Sequence, residues 1–264
     1  MSQSDYETIQ FELTDQVAIL RLNRPSAGNA LSRQMSMDFF NLARRCASDP
    51  DIRAVILTGS GKLFSGGGDL RELAAAESRA AHFGEMTAYF HAAMARFARM
   101  DAVLIGAVNG TAGGAGIAMV CACDLVISAE SARYVLAYTR AGLSPDGSST
   151  YYLPRLLGLR RALEMALTNR LLSAQEALAW GLVNRVVPDD QLMEEALKLA
   201  RQLAAGPTLA FGETKRLLHG SWTTPMETQL EMESQAIARM VESVDGREGV
   251  SAFLEKRPPT FTGR

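Results

Sequence analysis

Apolar positions in the first half of the chain form short runs that are separated by longer stretches with helical spacing. Two of these runs, 7–13 and 16–22, predict a hairpin that turns at Asp15. Compact β-branched runs further along predict buried strands. The predicted strands cover 7–13, 16–22, 53–58, 103–108, 124–128 and 183–187. Strands that alternate with helices at this spacing indicate an α/β fold with crossover connections.

Helical spacing dominates from about residue 147 to the end of the chain. The predicted helices cover 33–48, 79–99, 117–122, 148–157, 159–168, 173–180, 189–205, 208–219, 225–243 and 246–255. Gly206-Pro207 interrupts this pattern. We therefore predict a core over 1–205 and a helical extension over 206–264 that packs on a neighbouring subunit.

Charge and composition narrow the classes of function. The 264 residues have a formal net charge of -2 with scattered Lys and Arg, without the basic stripe of nucleic-acid binders. Met1–Asp5 is neither basic nor the start of a long apolar stretch, so we predict a cytoplasmic protein without a membrane partner. Cys46, Cys121 and Cys123 suit a reducing compartment, and their spacing predicts no metal site.

Two glycine-rich loops follow predicted buried strands, at 59–68 and 109–116. Such loops serve either for tight turning or for bringing backbone N–H groups close to an anion. Neither loop has the Lys-Ser/Thr of a phosphate-binding loop or a clean dinucleotide fingerprint. Two equivalent loops could direct two N–H donors at one oxyanion, and spacing alone leaves both explanations open.

Several sequence runs resemble the crotonase, or enoyl-CoA hydratase/isomerase, superfamily. They are Phe64-Ser-Gly-Gly-Gly-Asp-Leu70, Ala107–Gly116, Cys123–Ile127, Ser131–Tyr134, Gly142–Asp146, Leu153–Gly158, Ala177–Pro188 and Arg247–Arg257. These runs span nearly the whole chain in the family's order, so the resemblance is more specific than any single motif. It implies a spiral of ββα turns with a helical C-terminal trimerisation region, and a trimer or dimer of trimers.

The resemblance also implies an acyl-CoA thioester substrate, with CoA as part of the substrate and no cofactor. The backbone N–H groups of Gly68 and Ala115 would bind the thioester oxygen. The segment Ser65–Gly67 would contact the CoA adenine, Arg24 would lie near its phosphates, and the tail would reach a neighbour's CoA. The full set of residues implied in substrate binding is Arg24, Ser65, Gly66, Gly67, Asp69, Leu70, His91, Gly114, Tyr138, Phe253 and Lys256.

The two glutamates that the family's hydratases use have no counterparts in this chain. Matched motif by motif, their positions are occupied by Ala118 and Tyr138. Simple hydration by that pair is therefore not expected, although an unusual water-activating arrangement remains an alternative.

A different carboxylate, Asp146, lies where some family isomerases and dehalogenases have their acidic residue. Pro145-Asp146-Gly147 is also a turn signal, and Asp is a favoured N-cap for the helix predicted at 148–157. The resemblance favours a catalytic role. We expect shielding by Tyr138, Tyr134 and Phe64 to raise the pKa of Asp146, which would suit a proton shuttle.

Besides an atypical hydratase, three functions remain to be distinguished. In the first, Asp146 moves a proton between C2 and C4 of an enoyl-CoA, as in Δ3,Δ2-enoyl-CoA and epoxyphenylacetyl-CoA isomerases. In the second, Asp146 attacks an aromatic ring, as in 4-chlorobenzoyl-CoA dehalogenases. His91 matches the base of those enzymes, and residues 159–170 resemble the corresponding region in them. Their tryptophan is replaced by Tyr138, and an aromatic beside the first donor is replaced by Gly68-Asp69. The third is an acyl-CoA or RNA binder that has lost catalysis.

Overall fold

The computed structural model describes residues 6–264. The prediction made from Met1–Asp5 lies outside the described residues. In the described part, ten strands form two sheets. The strands are β1 Ile9–Thr14, β2 Val17–Leu22, β3 Ala54–Gly59, β4 Leu63–Ser65, β5 Val103–Val108, β6 Thr111–Gly113, β7 Leu125–Ala129, β8 Arg133–Val135, β9 Leu172–Ser173 and β10 Arg185–Val187.

The larger sheet has the strand order β1-β2-β3-β5-β7-β10. Strands β1 and β2 pair antiparallel as the predicted hairpin, and the other pairings are parallel. All six residues of β3 and of β5 are buried. Continuous apolar runs are expected for strands that are covered on both faces, and the sequence prediction of these two strands is confirmed.

The smaller sheet has the order β4-β6-β8-β9, and its first two pairings are parallel. Its four strands were not predicted from the sequence, because two or three residues are too few to display a period. Strands β3 and β4, β5 and β6, and β7 and β8 form successive pairs, one strand in each sheet. This is the predicted α/β spiral of ββα turns.

The helices lie between and after these strand pairs. They are α1 Arg33–Ser48, α2 Leu70–Ala75, α3 Arg79–Arg99, α4 Ala115–Ala122, α5 Ser149–Leu157, α6 Leu159–Thr168, α7 Ala174–Trp180, α8 Leu192–Ala204, α9 Thr208–Gly220, α10 Met226–Glu242 and α11 Val244–Glu255. Helix α2 was not predicted, and α4 begins at Ala115 rather than at residue 117. The predicted helix at 189–205 is a short 3-10 turn followed by α8.

A buried ion pair fastens the C-terminal helices to the core. Lys215 on α9 lies 2.7 Å from Asp124, which precedes β7. The Lys215 ammonium also donates to the carbonyls of Met100 and Ala102 at 3.1 and 2.9 Å. The carboxylate and the two carbonyls offset the cost of burying this charge. Helix α9 is therefore held against the end of α3 and the start of β5.

No helix within residues 6–264 has an apolar stretch of the length needed to cross a lipid bilayer. This finding does not test the predicted cytoplasmic location, which stays a prediction. In the same part of the chain, no three His, Cys, Asp or Glu side chains are grouped closely enough to hold a metal ion.

Candidate active site

The two glycine loops leave the same edge of the smaller sheet. Gly66–Gly68 follows β4, Gly114 and Ala115 follow β6, and the segment after β8 leads to Tyr138. Strands β4, β6 and β8 are parallel neighbours, so their carboxyl ends meet at one edge. This topology brings together loops that lie far apart in the sequence.

Glycine is required where the two loops touch. Gly67 has a φ of 103°, and a Cβ there would lie 3.1 Å from the Gly113 carbonyl oxygen. Gly114 has a φ of 50°, and a Cβ there would lie 3.2 Å from the Gly67 Cα. Side chains at either position would be strained and would push the loops apart.

Within residues 6–264, the backbone N–H groups of Gly68 and Ala115 have no hydrogen-bond acceptor. Leu31 forms a parallel bridge with Gly68, and its bonds go to the Gly67 carbonyl and the Asp69 N–H, so Gly68 itself points away. Ala115 is the first residue of α4 and has no carbonyl one turn before it within the helix. The structure brings both predicted donors to one cavity with their N–H groups available.

That cavity is mostly apolar and has a volume of about 630 Å³ including its open mouth. It is lined by Leu31, Gly66, Gly67, Gly68, Leu70, Phe83, Met86, Thr87, Phe90, Gly114, Ala115, Ala137, Tyr138, Ala141, Leu143 and Asp146. The α3 positions among these are 83, 86, 87 and 90, which have the i, i+3, i+4, i+7 spacing of one helix face. Two of the lining residues, Tyr138 and Asp146, titrate.

Asp146 is held by two side chains from other elements. Its Oδ1 accepts a hydrogen bond from the Tyr138 hydroxyl at 2.6 Å. Its Oδ2 lies 3.1 Å from Nε2 of His91, which is on α3. The predicted residues Asp146, Tyr138 and His91 therefore form one cluster. His91, however, does not line the apolar cavity; it lines a different one.

The pKa of Asp146 is lower than its ordinary value of 3.8. Burial acts to raise this pKa, but the hydrogen bonds from His91 and Tyr138 outweigh it. The prediction of a raised pKa is therefore wrong, because it considered shielding and not the two donors. Burial and the adjacent carboxylate raise the pKa of Tyr138, so its hydroxyl stays protonated as a donor.

The alternative role of Asp146 as the N-cap of α5 is also wrong. Ser148 occupies the cap position, with a φ of 71° and no capping bond from its side chain. The main-chain carbonyl of Asp146 accepts from the Ser149 N–H and hydroxyl. This leaves both carboxylate oxygens of Asp146 for Tyr138 and His91.

We predict that a carboxyl-carbon NMR titration of the wild-type chain gives a midpoint for Asp146 below 3.8. Tyr138→Phe removes one donor to the carboxylate, so the midpoint moves upward in that variant. Tyr134→Phe is a matched control, because that hydroxyl donates to Ser128 and not to Asp146. A wild-type midpoint above 3.8, or no change in Tyr138→Phe, would contradict the hydrogen-bond explanation.

The position of the first missing glutamate is sterically closed. Ala118 on α4 is fully buried. A Cβ added to Gly147, which has a φ of 61°, would lie 2.7 Å from the Ala118 Cβ and 2.6 Å from the Phe90 ring. The loop that carries Asp146 thus packs directly on Ala118, and a glutamate at 118 would have to displace it.

The remaining predicted binding residues are placed differently. Ser65 is fully buried and its hydroxyl donates to the Asn29 carbonyl at 2.9 Å. Its side chain therefore orders the loop and has no surface for a ligand, so the predicted CoA contact of Ser65 is not supported. Arg24 and Asp69 pair with each other at 2.8 Å, and Asp69 also caps α2.

Leu70 lines the mouth of the cavity, and its side chain is half exposed. Phe253 and Lys256 lie at the end of α11 and outside the cavity, with Phe253 82% exposed. Their predicted contact with a neighbouring subunit's CoA stays a prediction.

Sequence reasoning missed some residues that shape the site. Asn29, fully buried with a φ of 52°, donates to the carbonyls of Ser60 and Leu63 and accepts from the Arg24 N–H. It fixes the loop before β4. Leu31 and Leu143 line the cavity from loops. The sequence signal for Asn29 was an Asn directly after a glycine, Gly28, whereas Leu31 and Leu143 are single apolar residues in loops and gave no signal.

Two backbone donors, one of them at the N-terminus of a buried helix, line the same apolar cavity as a carboxylate. This arrangement is typical of enzymes that stabilise a developing oxyanion. A family model described as enoyl-CoA hydratase/isomerase matches residues 12–264. The chain belongs to this family, the crotonase superfamily predicted from the sequence motifs.

Relatives with different named activities are similarly close. A probable enoyl-CoA hydratase of Rhodobacter capsulatus is 39% identical, covering 98% of this chain and 99% of the relative. A 1,2-epoxyphenylacetyl-CoA isomerase of Escherichia coli is 38% identical over 94% of this chain and 95% of its own length. A 4-chlorobenzoyl coenzyme A dehalogenase of Arthrobacter is 37% identical over 97% and 94%.

The fold is shared with solved structures of the family. The crystal structure of an enoyl-CoA hydratase from Bacillus anthracis has a TM-score of 0.92 and 34% identity, and covers 98% of this chain and 100% of that one. The predicted fold class is therefore confirmed.

Proposed function

We propose that this enzyme isomerises an enoyl-CoA thioester, by a double-bond shift or a ring opening, through an enolate. The observation that carries the proposal is one ionised carboxylate, Asp146, in an apolar cavity with the free N–H groups of Gly68 and Ala115. Among the described residues that line this cavity, Asp146 is the one carboxylate, whereas hydration by the family's usual pair needs two.

In the proposed reaction, backbone N–H groups bind the thioester oxygen and a side chain transfers the proton. The thioester oxygen accepts hydrogen bonds from Gly68 and Ala115, and Asp146 removes a proton from C2. The charge that develops on the oxygen is stabilised by donors already in place, with the positive end of the α4 dipole behind one of them. Asp146 then returns a proton at C4. CoA enters as part of the substrate, so the reaction needs no cofactor.

A carboxylate of low pKa is a weak base in the free enzyme. Burial is the largest influence on Asp146 and acts upward. An acyl group that excludes water from the cavity therefore raises its pKa towards that of a more effective base. The hydroxyl of Tyr138 and the ring of His91 keep the carboxylate in place while its charge changes.

A second candidate function is hydrolytic dehalogenation of an aryl-CoA, with Asp146 as nucleophile. The contact of His91 with Asp146 favours it, since a base beside the carboxylate could activate water for hydrolysis of an aryl ester. Against it, Oδ1 accepts a hydrogen bond from Tyr138 and Oδ2 lies 3.1 Å from Nε2 of His91. Both contacts lower the pKa of Asp146, and a stabilised anion is a weaker nucleophile.

A parallel assay on four thioesters distinguishes these functions. We expect 3-enoyl-CoA to be converted to 2-enoyl-CoA, with no water added to crotonyl-CoA and no chloride released from 4-chlorobenzoyl-CoA. Butyryl-CoA measures enolate formation alone, through exchange of its C2 protons. Chloride release would support the second candidate, and hydration would support an atypical hydratase. Binding of all four without any reaction would indicate a non-catalytic binder.

We also propose that 206–264 is an oligomerisation region, forming a trimer or a dimer of trimers. Apolar side chains are exposed along α10 and α11: Met226, Leu230, Ile237, Val241, Val244, Val250, Phe253 and Leu254. Contiguous exposed apolar surface of this kind is typical of interfaces.

Light scattering should give three or six times the mass of one chain. The double variant Ile237→Glu/Val241→Glu places two charges in this surface and should shift the mass towards one chain, whereas Lys198→Glu on α8 should not. A monomeric wild-type chain would contradict the assignment.

A further inference from the structure

A second cavity is lined by two residues that contact Asp146 or adjoin it in the chain, His91 and Gly147. It is lined by His91, Met94, Ala95, Ala98, Arg99, Gly147, Ser148, Tyr151, Tyr152, Arg216, His219, Gly220 and Thr223. Its walls are more polar than those of the acyl cavity, and it opens to solvent. Asp146 belongs to the first cavity and His91 to the second, and the 3.1 Å contact between them joins the two.

The Nε2 atom of His91 has two neighbours that require opposite protonation states of this nitrogen. Asp146 Oδ2 lies 3.1 Å away, and the Gly147 N–H points at the same nitrogen, also at 3.1 Å. A ring nitrogen that carries a proton donates to the carboxylate and cannot accept from Gly147. A bare nitrogen accepts from Gly147, and then Asp146 bonds to it only by carrying a proton itself.

Each of these two proton arrangements matches a stage of the proposed reaction. A protonated Asp146 that donates to a bare Nε2, with the ring's own proton on Nδ1, is the state after Asp146 has accepted the substrate's proton. An ionised Asp146 that accepts from Nε2–H is the state after that proton has crossed to the ring, and the Gly147 N–H then has no lone pair on Nε2 to donate to. The same positions of the heavy atoms serve both stages, so a proton can cross without a rearrangement of the site.

We propose that His91 relays protons between Asp146 and the solvent of the second cavity, an inference that rests on the proposed isomerase function. Asp146 releases its proton to Nε2 of the neutral ring, and the O–H bond breaks as the N–H bond forms. The resulting imidazolium then loses its Nδ1 proton to water in the second cavity. The reverse sequence returns a solvent proton to Asp146. His91 acts through Asp146 and does not touch the substrate.

The other groups near Asp146 do not offer this route. Tyr138 donates to Asp146 and stays protonated, because burial and the carboxylate raise its pKa. The remaining described residues of the acyl cavity have no titratable side chain. In the second cavity, Arg216 is paired with Asp101 at 2.7 Å, and His219 packs against Tyr152 and Trp222. The His91 side chain is 47% exposed and thus has access to solvent.

The test is the origin of the proton that arrives at C4. The chain converts 3-enoyl-CoA in D2O, and mass spectrometry and NMR measure deuterium at C4 of the product. We expect the wild-type product to contain deuterium, since the relay exchanges the proton on Asp146 during turnover. The His91→Gln variant should give a several-fold lower deuterium fraction, with the substrate's own proton retained instead.

Glutamine is the informative replacement at position 91. Its amide nitrogen can donate to Asp146 while its amide oxygen accepts from Gly147, so the contacts are kept but no proton can cross. The deuterium fraction is a ratio per turnover and does not depend on how fast the variant works. His219→Gln is the matched control, because that histidine lines the same cavity without contacting Asp146. It should give the wild-type fraction.

The outcomes separate the relay from the reaction. An equal deuterium fraction in His91→Gln and the wild type, or no deuterium in the wild-type product, would overturn the relay while isomerisation stands. If the wild-type chain neither moves the double bond nor exchanges the C2 protons of butyryl-CoA, the proposed function is wrong and the relay falls with it.

Discussion

Asp146→Asn is expected to lower the turnover of 3-enoyl-CoA by about 10²–10⁴-fold, the range for loss of a positioned acid–base group. Asparagine has nearly the same shape and keeps an oxygen for the Tyr138 hydroxyl, but it cannot accept the substrate's proton. The affinity for the thioester should change little, because Gly68 and Ala115 still bind its oxygen. Steady-state kinetics and calorimetric titration with a non-reactive acyl-CoA measure the two quantities separately.

The control for this variant is Asp51→Asn, a change of the same kind at an exposed residue before β3. It should have wild-type turnover and affinity. Full activity of Asp146→Asn would remove Asp146 from the reaction. Loss of affinity together with turnover would instead indicate that Asp146 organises the cavity.

Ala115→Pro is expected to reduce kcat/KM by at least about 10²–10³-fold, the usual effect of losing one oxyanion donor. Proline removes the N–H, and its ring occupies the space towards which that N–H pointed. The position tolerates proline unusually well, because Ala115 is the first residue of α4 and has no hydrogen bond within the helix to lose. The fold should therefore survive while the oxyanion hole is damaged.

Ala115→Ser keeps the backbone donor and is the matched control for activity. Thermal unfolding of Ala115→Pro should lie close to that of the wild type, which separates damage to the site from damage to the fold. A proline variant that unfolds normally and retains wild-type kcat/KM would show that this N–H does not bind the oxyanion.

The long elements of the fold could be predicted from local pattern. Helix α3 was predicted at its observed bounds, and β5 likewise, because long or fully apolar segments have a clear period or composition. The smaller sheet could not be predicted in this way. Its strands have two or three residues, and they form only because the larger sheet and the helices bring them side by side.

The motifs identified Gly68 and Ala115 as donors, but not why their N–H groups are free. For Gly68 that depends on the bridge with Leu31, and for Ala115 on the exact start of α4, which was predicted two residues too late. The direction of the Asp146 pKa shift also could not be predicted from the sequence. It depends on Tyr138 and His91, which lie 8 and 55 positions away along the chain.

The motifs along the chain identified the family and, through it, the ββα order. They also located the residues available for chemistry, with Ala118 and Tyr138 in place of the two usual glutamates. These properties are local, since they depend on motifs and on the apolar period. The contacts of Tyr138 and His91 that lower the pKa of Asp146, and the second cavity that His91 lines, could be found from the folded structure alone. Those features depend on distances between separate elements, and packing alone sets such distances.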